Sequence, residues 1–134
     1  KIYWVLEFID TNEIFRWKVE GLRKTILPDA VAVDLIDEFI KVGDRAAALR
    51  VRELATREGM LLGYSSGAAL EAVFAIRKQL TKDDVVVVLF PDHGSRYLGK
   101  VFNDEWMKEQ GYLTPTGEPA TYSVKHLQRM YRVY

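Results

Sequence analysis

The run VVVVLF, residues 85–90, restricts the fold of this chain more than any other feature. It is the longest purely aliphatic and aromatic run in the sequence, and no polar residue interrupts it. A strand with one face in water alternates apolar and polar residues, so an unbroken apolar run predicts a strand covered on both faces, as in a parallel sheet flanked by helices. The run is too short to cross a bilayer as a helix.

Two other segments are predicted to be strands. Residues 2–9 are rich in aromatic and β-branched side chains, and residues 35–42, LIDEFIKV, alternate apolar and polar positions. Residues 14–22 fit no element clearly, and residues 114–134 contain a loop followed by a short helix or strand.

Three helices are predicted between and after these strands. The first begins at Asp44, a suitable N-cap, and ends at Gly59, where glycine adopts the left-handed conformation cheaply. The second covers about 66–80 and is apolar nearly all round, so it should be buried on several sides. The third covers about 95–110, with Gly111 as its C-cap. This order predicts an α/β fold, a partial doubly wound and mainly parallel sheet of about three or four strands with helices on both faces.

Composition excludes several function classes. Nineteen basic residues balance nineteen acidic ones, so neither nucleic acid nor a membrane is an expected partner. The chain has no cysteine, so disulfides, zinc–thiolate sites and thiol nucleophiles are impossible. The two histidines, His93 and His126, lie far apart in the sequence, and no metal site is expected. No signal peptide is recognisable, and a cytoplasmic location is expected.

Two loops are candidates for ligand binding, because ligands of open α/β sheets bind beyond the carboxyl ends of the strands. Residues 63–67, GYSSG, lead into the second helix, and residues 91–95, PDHGS, follow the apolar run. Both combine small polar residues with glycine, which lets a ligand approach the backbone. The alternative is purely structural. Ser65 or Ser66 would cap the helix, and the second loop would be a tight turn in which His93 has no catalytic role.

The ordered motifs resemble a known enzyme family. EGMLLGYSSGAAL (58–70), VVVVLFPDHGSRYLGK (85–100) and NDEWMKEQGYL (103–113) resemble the C-terminal part of cystathionine β-synthase and the cysteine synthases, which are fold-type II enzymes dependent on pyridoxal phosphate. WKVEGLRKTILPDAV (17–31) is similar to a segment that lies just upstream in that family. The likeness covers about residues 17–113, corresponding to the last third of the catalytic region of the family.

The resemblance implies site residues and a reaction. Ser65 would hydrogen-bond the pyridine nitrogen of the cofactor, with Gly63, Pro91 and Asp92 lining the cofactor site. Residues 20–21, Glu20 and Gly21, match a loop that closes beside the substrate. The implied reaction is a lyase-type β-replacement on serine or an activated serine by a thiol, as in cysteine biosynthesis, and the implied partners are that amino acid and thiol, with a homo-oligomer as the family's usual assembly.

The sequence departs from the family in ways that predict inactivity. The S-x-K-x-R segment that carries the cofactor-binding lysine is absent, as are the upstream asparagine and the phosphate-binding loop. Arg23 stands where a glycine beside the cofactor is expected. The chain alone is therefore expected to have no catalytic residue and to bind no cofactor. The chain opens without methionine, inside a predicted strand, so it is expected to be a piece of a longer protein, with a processed or trimmed N-terminus as the alternative.

Two hypotheses follow. In the first, residues 1–113 are the C-terminal portion of a pyridoxal-phosphate enzyme domain, either a fragment or a degenerate relative, and residues 114–134 are a tail. In the second, the chain is a small non-catalytic α/β domain that serves as a structural or association module, since the apolar helix at 66–80 would be partly bare in so short a chain.

Overall fold

The structure, a computed structural model, describes residues 1–7 and 32–120. Glu20, Gly21 and Arg23 therefore lie outside the described residues. Short 3₁₀ turns connect the regular elements. In chain order the strands and helices are β1 (Tyr3–Glu7), β2 (Glu38–Val42), α1 (Asp44–Glu58), α2 (Tyr64–Ile76) and α3 (Asp104–Glu109).

The two strands form a parallel pair in which Tyr3 lies opposite Glu38 and Glu7 opposite Val42. In the described part of the chain they make up the whole sheet, so its size is below the three or four strands predicted. Ile40 and Val42 of β2 are buried, in keeping with the alternation read from the sequence. Parallel strands with packed helices confirm the partial α/β class.

Helices α1 and α2 pack closely because their contact surface carries small residues. Ala47, Ala48 and Val51 of α1 are fully buried. A Cβ atom placed on Gly67 of α2 would lie 2.1 Å from the backbone oxygen of Ala47, so only glycine fits there. The predicted end of α1 is confirmed, since Gly59 takes the left-handed conformation with a φ of 68°.

The start of α1 differs from the prediction. Gly43 is the N-cap residue, and Asp44 is the first residue inside the helix. The carboxylate of Asp44 does not cap the helix, but it lies beside the positive end of the helix dipole. The backbone oxygen of Asp44 accepts a 2.8 Å hydrogen bond from the hydroxyl of Tyr64, which fixes α2 against this end of α1.

The prediction of one helix over residues 95–110 is wrong. Residues 94–97 form a 3₁₀ turn, hydrogen-bonded turns follow over residues 98–102, and the α-helix begins only at Asp104 and ends at Glu109. Asn103 starts this short helix, its side-chain oxygen accepting a 3.1 Å bond from the backbone of Trp106. Asparagine followed by two acidic residues is a strong start signal, and it marks a new helix rather than the middle of an old one. The C-cap of α3 is Gln110 and not Gly111 as predicted; Gly111 follows it in the left-handed conformation, with a φ of 71°.

The prediction of a buried strand over residues 85–90 is also wrong for this chain. The segment has no strand partner among the described residues, and most of its side chains are exposed. An apolar run indicates that a strand needs cover on both sides, but the cover has to come from other elements. Those of the described chain do not supply it.

The core lies between β2, the α1–α2 pair and the C-terminal turns. Its largest fully buried side chains are Tyr64 and Met107, and Val101, in the turns before α3, is also fully buried. The ring of Tyr64 meets those of Tyr97 and Trp106 edge-on, at centroid distances of 6.4 and 6.5 Å. This aromatic group ties the start of α2 to the segment that follows the apolar run.

Candidate functional site

The two loops singled out from the sequence lie side by side. The backbone N–H of Gly63 donates to the backbone oxygen of Asp92 at 2.9 Å. The backbone N–H of Gly94 donates to the backbone oxygen of Leu61 at 3.0 Å. These bonds form a short antiparallel bridge between Leu62 and His93. The entry to α2 and the end of the apolar run are therefore held together by the backbone itself.

Glycine makes this close approach possible. A Cβ atom on Gly63 would lie 1.6 Å from Oδ1 of Asp92, and one on Gly94 would lie 2.8 Å from the backbone oxygen of Leu62. Neither glycine has a positive φ, so their role here is to leave space and not to allow an unusual backbone turn.

Neither serine caps α2, so the capping role predicted for Ser65 or Ser66 is wrong. Gly63 is the N-cap, no side chain bonds to the cap position, and both serines lie in the first helical turn. Ser66 is fully buried, and its hydroxyl has no hydrogen-bond partner among the described residues. Ser65 keeps 9% of its surface exposed, and the described residues offer its hydroxyl no hydrogen bond. The first turn thus holds two serines near the positive end of the helix dipole, and the backbone N–H of Ser66 donates to the backbone oxygen of Gly63 at 3.0 Å.

Asp92 is held by a residue that the sequence analysis did not single out. The Tyr97 hydroxyl donates a 2.7 Å hydrogen bond to Oδ2 of Asp92, while Oδ1 is buried and unpaired among the described residues. The sequence does contain a signal for this contact, because Tyr97 follows Asp92 by five residues in DHGSRY. When residues 94–97 form a 3₁₀ turn, the phenol of Tyr97 lies next to the carboxylate of Asp92. Pro91, the residue before this carboxylate, is exposed.

His93 has a structural role, as expected. Its Nδ1 atom accepts a 3.2 Å bond from the backbone N–H of Ser95 and lies 3.0 Å from the Ser95 hydroxyl. The imidazole therefore caps the 3₁₀ turn over residues 94–97.

Within the described ranges, no group of histidine and carboxylate side chains is placed to hold a metal ion. In the same ranges no helix is long and apolar enough to cross a membrane.

The match to known proteins defines a class. The family described as "Pyridoxal-phosphate dependent enzyme" matches residues 6–92, more than half of the chain. The chain belongs to this family.

Particular relatives refine that class. The chain is 38% identical over 106 residues to cystathionine beta-synthase of Saccharomyces cerevisiae, a match that covers 77% of this chain and 21% of the yeast protein. It is 40% identical over 81 residues to a cysteine synthase of Staphylococcus aureus, covering 60% of this chain and 26% of that protein. The chain thus spans about a fifth to a quarter of the length of these relatives.

Solved structures agree on the fold. An O-acetylserine dependent cystathionine beta-synthase from Helicobacter pylori superposes with a TM-score of 0.64 at 30% identity, over 73% of this chain and 33% of that chain. O-ureido-L-serine synthase superposes with a TM-score of 0.67 at 23% identity, over 81% of this chain and 38% of that chain, which is a likeness of fold. The architecture described above therefore corresponds to part of the fold of the fold-type II enzymes.

The residues around the bridge fit one edge of the family's cofactor. A pyridine ring has a single nitrogen, and a hydroxyl without an intramolecular partner suits it. The Ser65 side chain meets that description, and the loop of Asp92 packs directly against Gly63 at the start of the same helix.

Proposed function

We propose that this chain is the C-terminal portion of the catalytic domain of a pyridoxal-phosphate enzyme of the cystathionine β-synthase and cysteine synthase type. In that role the bridged loops form the wall of the cofactor site that faces the pyridine ring. The observation that carries the proposal is the uncommitted hydroxyl of Ser65 in the first turn of α2, next to a backbone bridge that needs Gly63 and Gly94.

Ser65 would hydrogen-bond the ring nitrogen. A neutral hydroxyl, unlike a carboxylate, does not force a proton onto that nitrogen. Pyridoxal phosphate, when bound, acts as an electron sink, and without a protonated ring it is a milder one, suited to elimination and addition at the β-carbon of an amino acid.

Asp92 and Gly63 would shape the same wall. The 2.7 Å bond from Tyr97 leaves the other carboxylate oxygen of Asp92 without a partner among the described residues, and that oxygen packs against Gly63 in the place where a side chain would lie. Pro91 fixes the backbone that leads into this carboxylate. Glu20 and Gly21 are proposed to border the substrate.

The proposed reaction of the whole enzyme replaces the β-substituent of serine, or of an activated serine, by a thiol. The Helicobacter pylori relative is an O-acetylserine dependent cystathionine beta-synthase, which supports an activated serine as the amino acid. For this chain by itself we propose no catalysis, because the sequence has no segment of the lysine-bearing type.

A chimera tests the role of Ser65. Residues 32–113 of this chain would replace the matched stretch of yeast cystathionine beta-synthase, and cofactor affinity would be measured by absorbance titration. We expect Ser65→Ala to weaken binding by roughly tenfold, the value of one hydrogen bond. The matched control is Ser66→Ala, which removes a buried hydroxyl without a partner and should leave affinity unchanged. Equal effects of the two substitutions would contradict the proposal.

The lysine prediction has its own test. The 134-residue chain would be mixed with pyridoxal phosphate, reduced with borohydride and digested for mass spectrometry. We expect no single lysine to be labelled preferentially. A cofactor fixed stoichiometrically at one lysine would show that the chain has a covalent site after all.

The second candidate function, an association module, is favoured by the exposed apolar segment over residues 85–90. Size-exclusion chromatography with urea unfolding distinguishes the two. A discrete oligomer with a single cooperative transition favours an association module, whereas aggregation or a transition without cooperativity favours part of a larger domain.

A further inference from the structure

The carboxylate of Asp92 fills the space in which a side chain of residue 63 would lie. A Cβ atom on Gly63 would come 1.6 Å from Oδ1 and 2.4 Å from Cγ of Asp92. Oδ1 is buried there, without a hydrogen-bond partner among the described residues. The start of α2 and this carboxylate are therefore packed together, and a shift of one displaces the other.

A buried carboxylate oxygen without a hydrogen bond is costly, so other contacts must hold it in place. Two features of the structure do so. Gly63 is the N-cap of α2, and the positive dipole end of this 13-residue helix favours a negative charge beside it. The Tyr97 hydroxyl also donates a 2.7 Å hydrogen bond to the other carboxylate oxygen, Oδ2.

Tyr97 is itself fixed in the core. Only 4% of its surface is exposed, and its ring meets that of Tyr64 edge-on at a centroid distance of 6.4 Å. Its backbone oxygen accepts hydrogen bonds from the N–H groups of Lys100 and Phe102, at 3.0 and 3.3 Å. A donor held in this way by packing and by its backbone can fix the direction of the carboxylate that it contacts.

These contacts form a continuous series from the core to the candidate site. Tyr97 holds the side chain of Asp92, which packs against Gly63. The backbone N–H of Gly63 in turn donates to the backbone oxygen of Asp92 at 2.9 Å. Ser65 follows Gly63 by two residues, in the first turn of α2. The direction in which the Ser65 hydroxyl leaves the helix therefore depends on the position of the Asp92 carboxylate.

We propose that Tyr97 is a positioning residue of the candidate site, which acts through Asp92 to fix the entry of α2 and with it the side chain of Ser65. The proposal rests on the proposed function for the ligand that Ser65 meets. It assigns Asp92 a supporting role, because one of its oxygens packs on Gly63 and the other is bonded by Tyr97. The alternative is that Tyr97 contributes to stability alone and that the backbone bridge positions α2 without it.

A double-mutant cycle in the full 134-residue chain tests the contact between the phenol, the carboxylate and the glycine. In Gly63→Ala the new methyl group must push the Asp92 side chain away, which breaks the Tyr97 bond. When Tyr97→Phe is already present, that bond no longer has to be broken. We expect Gly63→Ala to change the unfolding equilibrium constant roughly fivefold less in the Tyr97→Phe background, measured by urea unfolding.

The matched control for this cycle is Gly67→Ala. Its Cβ meets the backbone oxygen of Ala47 at 2.1 Å and does not involve Asp92, so its loss should add to that of Tyr97→Phe.

Cofactor affinity in the yeast chimera tests the consequence for Ser65. Tyr97→Phe should weaken binding by roughly three- to tenfold, since part or all of the Ser65 hydrogen bond is lost. Ser65→Ala should then add little to that loss, because both substitutions act on the same bond. Arg50→Met is the control for stability, since the Arg50–Glu71 pair lies about two helical turns beyond Gly63. This control should unfold more easily and keep its affinity.

Two substitutions of Asp92 separate position from charge. Asp92→Asn keeps the size of the side chain and an oxygen that can accept the Tyr97 bond, so the chimera should keep its cofactor affinity. Asp92→Ala removes the group that packs on Gly63 and should weaken binding as Tyr97→Phe does. Equal losses for the two substitutions would show that Asp92 acts through its charge and would overturn the proposal.

The remaining outcomes are also decisive. Additive losses for Gly63→Ala and Tyr97→Phe would overturn the proposal, because the phenol would then not hold the carboxylate against the glycine. If Ser65→Ala weakens cofactor binding but Tyr97→Phe does not, or does so no more than Arg50→Met, the proposal is also overturned while the proposed function stands. If Ser65→Ala leaves affinity unchanged, the proposed function fails, and the cycle in the chain alone still decides whether Tyr97 fixes the entry of α2.

Discussion

The Tyr97 hydroxyl donates a 2.7 Å hydrogen bond to Oδ2 of Asp92, across the 3₁₀ turn formed by residues 94–97. Tyr97 itself is buried in the aromatic group around Tyr64. This bond connects the core to the carboxylate that lies against Gly63, so the conformation of the candidate site depends on a residue outside it.

Tyr97→Phe should destabilise the chain by about 1.5–3 kcal/mol, because the bond lost is made to a carboxylate. Tyr64→Phe is the matched control. It removes an equally buried phenol hydroxyl, which donates to the neutral backbone oxygen of Asp44, and should cost about 0.5–1.5 kcal/mol. Urea unfolding measures both losses. A smaller loss for Tyr97→Phe than for Tyr64→Phe would show that the Asp92 contact does not hold the loop.

The loss of stability caused by replacing a glycine with alanine should depend on which atoms the new Cβ contacts. In Gly67→Ala it meets the backbone oxygen of Ala47 at 2.1 Å, which cannot move without separating α1 from α2, so a loss of about 1–3 kcal/mol or more is expected. In Gly63→Ala it meets the Asp92 side chain, which can rotate, so the loss should be smaller. Gly99→Ala, with nothing within 4 Å, should change stability by less than about 0.5 kcal/mol. Thermal or urea unfolding of the three variants gives the order, and an order led by Gly99→Ala would contradict the packing described.

The elements that the sequence predicted well are those fixed by local signals. The end of α1 at Gly59, and the left-handed Gly111 just after the C-cap of α3, follow from the low cost of that conformation for glycine, which needs no tertiary information. The break before Asp104 was also encoded locally, in Asn103, but apolar spacing on both sides concealed it.

The features that could not be predicted depend on residues far apart or absent from the described fold. The apolar character of residues 85–90 indicates a need for cover but not which element provides it. The pairing of Tyr97 with Asp92 needs the geometry of a particular turn. For the candidate site, the two loops were evident as motifs, but only the fold shows that Gly63 and Gly94 bond them together and that neither serine is a cap.

Arg50 of α1 and Glu71 of α2 form an ion pair, and their contributions to the free energy of unfolding should be strongly coupled. Glu71 is buried on an otherwise apolar helix, and Nε of Arg50 donates to its Oε2 at 2.8 Å while the guanidinium lies 3.9 Å from the centre of the Phe74 ring. Arg50→Met removes the guanidinium that pairs with the buried carboxylate of Glu71, and the free energy of unfolding should fall by about 3 kcal/mol. The double variant Arg50→Met, Glu71→Leu should recover much of that loss, because no buried charge then remains at the pair. A double-mutant cycle in urea measures the coupling, and additive single losses would show that the pair contributes nothing specific.

The turn before the apolar run should make stability depend on pH. Hydrogen bonds from the backbone N–H and then the hydroxyl of Thr81 lower the pKa of Asp84 below its usual value. Because the folded-state pKa is the lower one, the carboxylate stabilises the fold above the ordinary aspartate pKa, and this contribution disappears as the pH falls through the folded-state value. Asp84→Asn should therefore be less stable than the parent chain at neutral pH, with the difference closing in strong acid.

Thr81→Val separates the two causes of that shift. It removes the hydroxyl donor but keeps the backbone N–H, so the pKa of Asp84, followed by carboxyl chemical shift in NMR, should rise only part of the way towards its usual value. A complete return would assign the whole shift to the hydroxyl, and no change would assign it to the backbone alone.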